Sequence, residues 1–397
     1  MKKTFLFLYL LLFLICKQAG SQTPETEWEK DMAIKGNSCL TDVVQNSDGT
    51  YTVLGSRSDS GPEKSDLWLI RFSASGDTLG TRTFPNPGTD LPFRIAGCPG
   101  GGYLLASVNE VAGGQFFARV IYTDADGNEQ WNKTSKEALH FPNTDVAVQE
   151  DGSWWWLLTA TQQGTPAATH LLHLSPEGEL LADYLYTDKQ ALEAHALRIL
   201  PDGSIAISGE IALDKGGSTM WIMRISPLGE QIWKSTLPIT GKNVRPECIC
   251  CSNENGLLAA GWIGSCMNPD AAPEDRIFDY DLVITKLDPG GKIIWTKNYD
   301  REGSEGGNAL AVMPDGHILV AGKCETSFTG TIGPWLMLID PKGNKVMDHV
   351  DKFRFSGDQA SRIILTSDGG FLMVGPGRFQ PTQNRSIGWI KKYKPIQ

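Results

Sequence analysis

One phrase recurs along this chain, and it limits the fold more than any other feature. A tight-turn signal followed by an alternating apolar run appears as SDGTYTVLGS (47–56), GGGYLLAS (100–107), EDGSWWWLLT (150–159), PDGSIAISGE (201–210), ENGLLAAGW (254–262), PDGHILVAGK (314–323) and SDGGFLMVGP (367–376). From Asp48 through Gly100 and Asp151 to Asp202 the spacing is 52, 51 and 51 residues. Alternation places successive side chains on opposite faces of a strand, and Asp-Gly or Asn-Gly between such runs signals a hairpin. A second turn follows each of the first six cores: Ser75-Gly76, Asp126-Gly127, Glu177-Gly178, Leu228-Gly229, Gly290-Gly291 and Lys342-Gly343. Each unit therefore reads strand a, tight turn, strand b, longer loop, strand c, tight turn, strand d. In the first unit the strands fall near Leu40–Gln45, Tyr51–Gly55, Leu67–Phe72 and Thr78–Phe84.

Four antiparallel strands repeated at this period predict an all-β fold, a β-propeller with one blade per unit. The chain ends set the count. The seventh unit offers strands a (Ser361–Leu365), b (Phe371–Gly375) and c (Gly388–Tyr393), and then no strand d. At the other end ETEWEKDMA lies outside any unit and matches the strand-d segments EQWNKT, EQIWKST and KIIWTKN, so that Trp28 aligns with Trp131, Trp233 and Trp295. The expectation is a seven-bladed propeller whose last blade is closed by the N-terminal strand, near Glu27–Ala33. Closure removes the exposed edges of an open array.

The segments GGNALAVMPDGHILVAGK and DYDLVITKLDPGGKIIWTKNYD resemble the SBBP-type β-propeller repeats of secreted bacterial proteins, and the resemblance covers essentially the whole chain after its first residues. It implies a propeller fold and export, and it implies no particular activity.

The first residues agree with export. Lys2 and Lys3 form a positive n-region, Phe5 to Ile15 an apolar core, and Ala19-Gly20-Ser21 a small-residue cleavage site, so residues 1–21 read as a signal peptide and 22–397 as a single propeller domain. A rival reading makes Cys16 a lipid-modified N-terminus, because Leu14-Ile15-Cys16 loosely resembles a lipobox, although Ile15 stands where a small residue is expected. No later apolar run is long enough to cross a membrane. Loss of Lys2, Lys3 and Lys17 leaves 33 basic against 46 acidic residues, a net charge of about −13. That balance argues against nucleic acid and anionic membrane as partners and leaves a protein or small polar ligand, bound to a monomeric core.

Seven cysteines follow the signal: Cys39, Cys98, Cys248, Cys250, Cys251, Cys266 and Cys324. In ECICC, Cys250 and Cys251 point to opposite faces of a strand, and no second Cys or His pair stands at zinc spacing, so they read as small buried hydrophobes. One pair among Cys248, Cys266 and Cys324 is expected within disulfide reach. The triple Trp154-Trp155-Trp156 reads as core packing rather than a sugar platform, as do Trp68, Trp221, Trp335 and Trp389 in strand c.

Both tight turns of a unit fall on one face of the ring, so the longer b–c and d–a loops form the other, where binding residues are expected. Its largest excursion, WIGSCMNPDAAPEDRIFDYD (262–281), carries Asp270, Glu274, Asp275, Asp279 and Asp281; it is read as an ordinary acidic loop, since its spacing fits no calcium motif. TDADGNE (123–129) is likewise read as turn chemistry. Strand a lines the channel. Six or seven residues before each turn stand Asp42, Arg94, Asp145, His195, Glu247, Asn308 and Arg362, a polar ring at the channel mouth. Two readings stay open for it: a site for a small ligand or a peptide end, or a set of bonds to neighbouring blades. Arg94 and Arg362 are expected to flank Asp42. His195 is the one histidine of this ring, but no nucleophile, cofactor motif or metal-ligand spacing accompanies it. A non-catalytic binding or assembly module is the leading reading, and a propeller hydrolase or lyase with its site at the same mouth is the alternative.

Overall fold

The computed structural model describes residues 23–59, 64–111, 113–160, 166–214, 217–239, 241–266, 278–301, 303–326, 331–351, 358–380 and 385–396. Seven four-stranded antiparallel sheets account for them, arranged as a β-propeller, with no helix among the described residues.

The N-terminal strand is β1 (Thr26–Asp31). Blade one holds β2 (Asn37–Gln45), β3 (Tyr51–Ser58), β4 (Asp66–Phe72) and β5 (Thr78–Phe84), and blade two β6 (Thr89–Gly97), β7 (Tyr103–Val111), β8 (Gln115–Thr123) and β9 (Glu129–Thr134). Blade three holds β10 (Leu139–Val148), β11 (Trp154–Ala160), β12 (Ala168–Leu174) and β13 (Leu180–Tyr186). Blade four has β14 (Leu192–Ile199), β15 (Ile205–Ala212), β16 (Ser218–Ile225) and β17 (Gln231–Thr236). Blade five has β18 (Asn243–Cys251), β19 (Leu257–Cys266), β20 (Phe278–Leu287) and β21 (Ile293–Tyr299). Blade six has β22 (Glu305–Val312), β23 (Ile318–Thr326), β24 (Thr331–Ile339) and β25 (Lys345–Val350), and blade seven β26 (Arg362–Leu365), β27 (Phe371–Gln380) and β28 (Arg385–Tyr393).

The ring closes as the repeat count requires. β1 pairs antiparallel with β28, Trp28 opposite Lys392 and Asp31 opposite Trp389, and becomes the outer strand of blade seven. Met32 N donates to Gly388 O and Lys394 N to Glu25 O, extending the pairing beyond the strand at both ends. Trp28 behaves as a strand-d tryptophan: its Nε1 donates to Ala74 O in the c–d turn of blade one, as Trp233 Nε1 donates to Pro289 O in blade five. At Gly76 and Gly291 a Cβ would lie 2.7 Å and 2.5 Å from those indole rings, so each turn needs glycine for the close approach as well as for its positive φ.

The a–b turns depart from the simplest hairpin reading. A two-residue type I′ turn needs positive φ at both central residues, yet only the glycine is left-handed at Gly49, Gly152, Gly203, Gly316 and Gly369. The preceding aspartate turns its carboxylate onto the chain two residues on: Asp48 accepts from Thr50 N, Asp151 from Ser153 N, Asp202 from Ser204 N and Asp315 from His317 N. Asp-Gly is selected here by an Asx-type bond followed by a left-handed residue. In blade five Asn255 takes that slot at φ 58°, the one non-glycine with positive φ among the described residues.

The blade interfaces form the core. Trp154, Trp155 and Trp156 are all buried, and Trp155 stacks on His173 with centroids 4.1 Å apart. Trp68, Trp221, Trp335 and Trp389 are buried in strand c. Cys250 packs into the core shared with blade six and Cys251 into that shared with blade four, opposite faces of one strand. Cys98, Cys248, Cys250, Cys251 and Cys324 are free thiols. Cys248 and Cys324 share one core without a bond between them, and the Cys266 side chain lies outside the described residues, so the disulfide expected among these three is not made by the described pair. Asp270, Glu274 and Asp275 of the blade-five excursion also lie outside the described residues.

Candidate functional site at the mouth of the channel

The innermost strands repeat one pattern. Val43, Ile95, Val146, Leu197, Ile249, Leu310 and Ile363 turn into the blade interfaces and are buried. The residues immediately before them face the other way, and a β-bulge sorts them. Register slips between Leu40 and Asp42, Pro92 and Arg94, Ala194 and Ala196, Pro246 and Cys248, and Gly307 and Ala309. The seven positions read from the sequence therefore occupy two layers. Asp42, Arg94, Asp145 and Arg362 pair in register with Leu54, Ala106, Leu157 and Val374, and form the inner layer. His195, Glu247 and Asn308 are the extra residues of their bulges, one step nearer the mouth; Ala196, Cys248 and Ala309 fill the inner layer in those blades. The split follows the count back from the turn: Asp42, Arg94, Asp145, Ala196, Cys248, Ala309 and Arg362 all stand six residues before it, whereas His195, Glu247 and Asn308 stand seven before it, on the bulge position that Thr41 and Phe93 hold in blades one and two.

The inner layer is a continuous ion network. Arg94 forks onto Asp145, Nε to Oδ1 at 2.6 Å and Nη2 to Oδ2 at 2.9 Å, while its Nη1 lies 3.4 Å from Asp42 Oδ2. Arg362 Nε lies 3.0 Å from Asp42 Oδ1, so both guanidinium groups flank Asp42 as the ring alignment anticipates. The two aspartates also staple blades together. Asp42 accepts from Val43 N and, across the interface, from Ile95 N at 3.0 Å; Asp145 accepts from Val146 N and from Leu197 N at 2.8 Å. Burial opposes ionisation of Asp145, but the charge and hydrogen bonds of Arg94 outweigh it and hold the carboxyl below its usual range.

Asparagines extend the stapling. Asn143 Nδ2 donates to Ala194 O at 3.0 Å and His195 O at 3.2 Å, and Asn308 Nδ2 to Ala360 O at 2.8 Å. Glu247 receives Trp262 Nε1 at 3.0 Å and sits 3.2 Å from Arg245 Nε. His195 is buried, its Nε2 3.5 Å from Glu210 Oε1, and Ser218 Oγ donates to the other Glu210 oxygen. Burial raises the Glu210 carboxyl, and the His195 bond and charge more than reverse that. Asn143, Arg245 and Glu210 were not singled out in the sequence; Asn143 and Arg245 fall on the bulge segments, Glu210 at the loop end of strand b.

Above this network lies a cavity of about 290 Å³ lined by residues from all seven blades, among them Thr41, Asn143, Arg245, Asn308, Gln359 and Ser361. Clefts of about 350 Å³ and about 450 Å³ lie between blades one and two and blades two and three, towards their outer strands. Two sets of side chains bring three metal-type donor atoms within 4.8 Å of one another: Glu193, His195 and Glu210, and Asp281, Asp300 and Glu305. In TDADGNE the Asp124 carboxylate is taken up by Asp126 N, Asn128 N and Asn128 Nδ2, as Asp340 is by Lys342 N, Asn344 N and Asn344 Nδ2, which is turn chemistry.

No protein-family model matches the chain, and no curated protein matches it. Among solved structures it is similar to Drosophila plexin A in complex with semaphorin 1b, at 9% identity and a TM-score of 0.54, covering 95% of this chain and 88% of that one. It is also similar to a PL25 polysaccharide lyase, an ulvan lyase bound to an oligosaccharide, at 10% identity and a TM-score of 0.57, covering 92% and 96%. A puromycin hydrolase is matched at 14% identity and a TM-score of 0.50, where the alignment covers 96% of this chain and 57% of the other. At these identities the likeness is one of fold.

Proposed function

We propose that this chain is an exported, non-catalytic propeller of the SBBP-repeat kind, a binding or assembly module of the cell envelope or extracellular space whose ligand site is the channel mouth. The observation that carries this reading is how the mouth's carboxylates are used. Asp42 and Asp145 are each consumed by two backbone N–H groups and by arginine, and Glu247 by Arg245 and Trp262. A general acid must carry a proton at the working pH, which Asp145, held ionised, does not. A general base needs a free lone pair aimed at substrate, whereas both Asp145 oxygens are engaged by Arg94 and by the Val146 and Leu197 N–H groups. What remains is a roomy cavity edged by amide, hydroxyl and guanidinium donors, suited to holding a polar group or the end of a chain. Export is supported by the Lys2-Lys3 n-region and the apolar segment to Ile15.

The alternative, a hydrolase or lyase at the same mouth, is favoured by one observation: the buried His195 stands with its Nε2 3.5 Å from Glu210 Oε1, an imidazole beside a carboxylate. The solved structures it resembles include a semaphorin-bound plexin as well as an oligosaccharide-bound lyase, so both readings have a propeller counterpart. The discriminating experiment screens purified mature protein against model glycosides and against envelope fractions by pull-down. The expected outcome is capture of a ligand that Ser361→Trp excludes, with no turnover. Hydrolysis or elimination that disappears in His195→Ala would replace the binding reading by the enzymatic one.

A further inference from the structure

Two residues further along strand a the channel wall turns apolar. Six blades place Val44, Ala96, Ala147, Cys250, Ala311 and Ile364 there, each partly buried against a blade core. Blade four places Arg198 in that layer. Its Nη1 donates to Leu197 O at 2.9 Å, and among the described residues no carboxylate comes within ion-pair distance of it. Desolvation, and then the like charges of Arg94 and Arg362, pull its guanidinium down to about 9.

The neighbouring groups do not neutralise it. Burial pushes the Cys248 thiol up to about 11 and the Cys250 thiol higher still, so both stay uncharged. Asp42 and Asp145 are committed to Arg94, Arg362 and four backbone N–H groups. Arg362 Nε lies 3.0 Å from Asp42 Oδ1 yet is buried without a hydrogen-bond partner among the described residues. Three guanidinium groups thus meet two carboxylates in an enclosed channel, inside a chain whose net charge is −10. A guanidinium is protonated at any physiological pH, and an uncompensated charge in such surroundings is costly. Its planar fork matches the oxygens of an oxyanion.

We propose that the channel is an oxyanion site, in which a carboxylate, sulfate or phosphate group of the ligand enters from the mouth and sits between Arg198 and Arg362. The proposal rests on the reading of the mouth as the ligand site. The three chemistries share two or more oxygens around one negative centre, and titration separates them.

The test uses the full mature chain, with sodium acetate, sodium sulfate and sodium phosphate each titrated against sodium chloride at matched ionic strength, read by calorimetry and by melting temperature. At least one oxyanion is expected to bind saturably and raise the melting temperature. Arg198→Met is expected to weaken that binding about tenfold or more, and Arg198→Lys, which keeps the charge without the fork, by less. In the absence of oxyanion Arg198→Met should melt at or above the wild-type temperature, because it removes an unpaired charge. Saturable binding absent for all three salts overturns the proposal, as does unchanged binding in Arg198→Met. If a neutral ligand from the screen binds and Ser361→Trp excludes it while the oxyanions fail, the mouth remains the site and only the oxyanion falls.

Discussion

At Arg94, one side chain holds two aspartates from neighbouring blades, each also bound to backbone. Arg94→Ala leaves the buried Asp145 carboxylate without its ion-pair partner, while Asp42 keeps Arg362, so we expect it to cost about 3–5 kcal/mol in urea unfolding, far above the typical surface substitution. A loss below about 1 kcal/mol would show that the network is dispensable. Glu305 gives a signed pH effect. It is fully buried; desolvation, opposed by the Arg301 N–H and reinforced by Asp300 and Asp281, raises its carboxyl to about 7. The native state then binds a proton that the unfolded state has released, so stability falls as pH rises from about 4.5 to about 7, with a slope of at most about 1.4 kcal/mol per unit. Glu305→Gln should flatten the melting temperature across that window; an unchanged slope would rule Glu305 out as its source. Asp351 and Asp368 act with the opposite sign and lower down: burial opposes their ionisation, but His349 and Lys391 at Asp351, and Thr366 and Lys392 at Asp368, hold both carboxyls low, Asp368 at about 2. Their contribution is complete above about pH 4 and fades as pH falls through the folded values. The repeat predicted which positions reach the mouth, but not how charged side chains pair there, because pairing depends on neighbours some fifty residues away.

At the scale of elements, the N-terminal strand matters most. β1 covers the open edge of β28, and Lys392, almost wholly buried, reaches from β28 to Glu27 and to Asp368 in the a–b turn of its own blade. Each backbone bond is worth about 1 kcal/mol net, and Trp28 adds buried apolar surface against Tyr51 and the Gly76 turn. Deletion of residues 22–33 should therefore aggregate the protein or sharply lower its melting temperature. An unchanged melting temperature would mean that closure contributes nothing. Strand existence and order were legible from alternation and turn residues; β26 (Arg362–Leu365 against 361–365) and β5 (Thr78–Phe84) fall as expected, whereas β2, β3, β27 and β28 run three to five residues further at their loop ends than the expected 40–45, 51–55, 371–375 and 388–393. The bulges were not legible. They recur at the same place in blades one, two, four, five and six, so His195, Glu247 and Asn308 take the position of Thr41 and Phe93, and Ala196, Cys248 and Ala309 take that of Asp42.

Over the whole molecule, seven near-equivalent units make a symmetric scaffold on which departures from symmetry stand out. The layer carrying Arg198 is apolar in every other blade, and the layer above it mixes two aspartates and two arginines with Ala196, Cys248 and Ala309. Repetition explains the scaffold, since each unit needs its neighbours to bury both faces. It does not explain the exceptions. Those concentrate in the channel, where neighbouring blades no longer cover the innermost strand.

The sequence by itself determined the all-β class, the seven units, the four strands in each, and the closure by the N-terminal segment. All of these follow from local periodicity, turn chemistry and the counting of ends. It also determined that Cys250 and Cys251 face opposite ways and that the tryptophan triplet is core, because a strand alternates wherever it lies. Only the tertiary structure decided that Asp42 and Asp145 are spent on neighbouring blades, that His195 turns to Glu210, and that Arg198 stands in an apolar sleeve. The physical reason is common to the three: charge pairing is set by distances of a few ångströms between strands remote in sequence, and a single bulge shifts those distances without altering the local pattern.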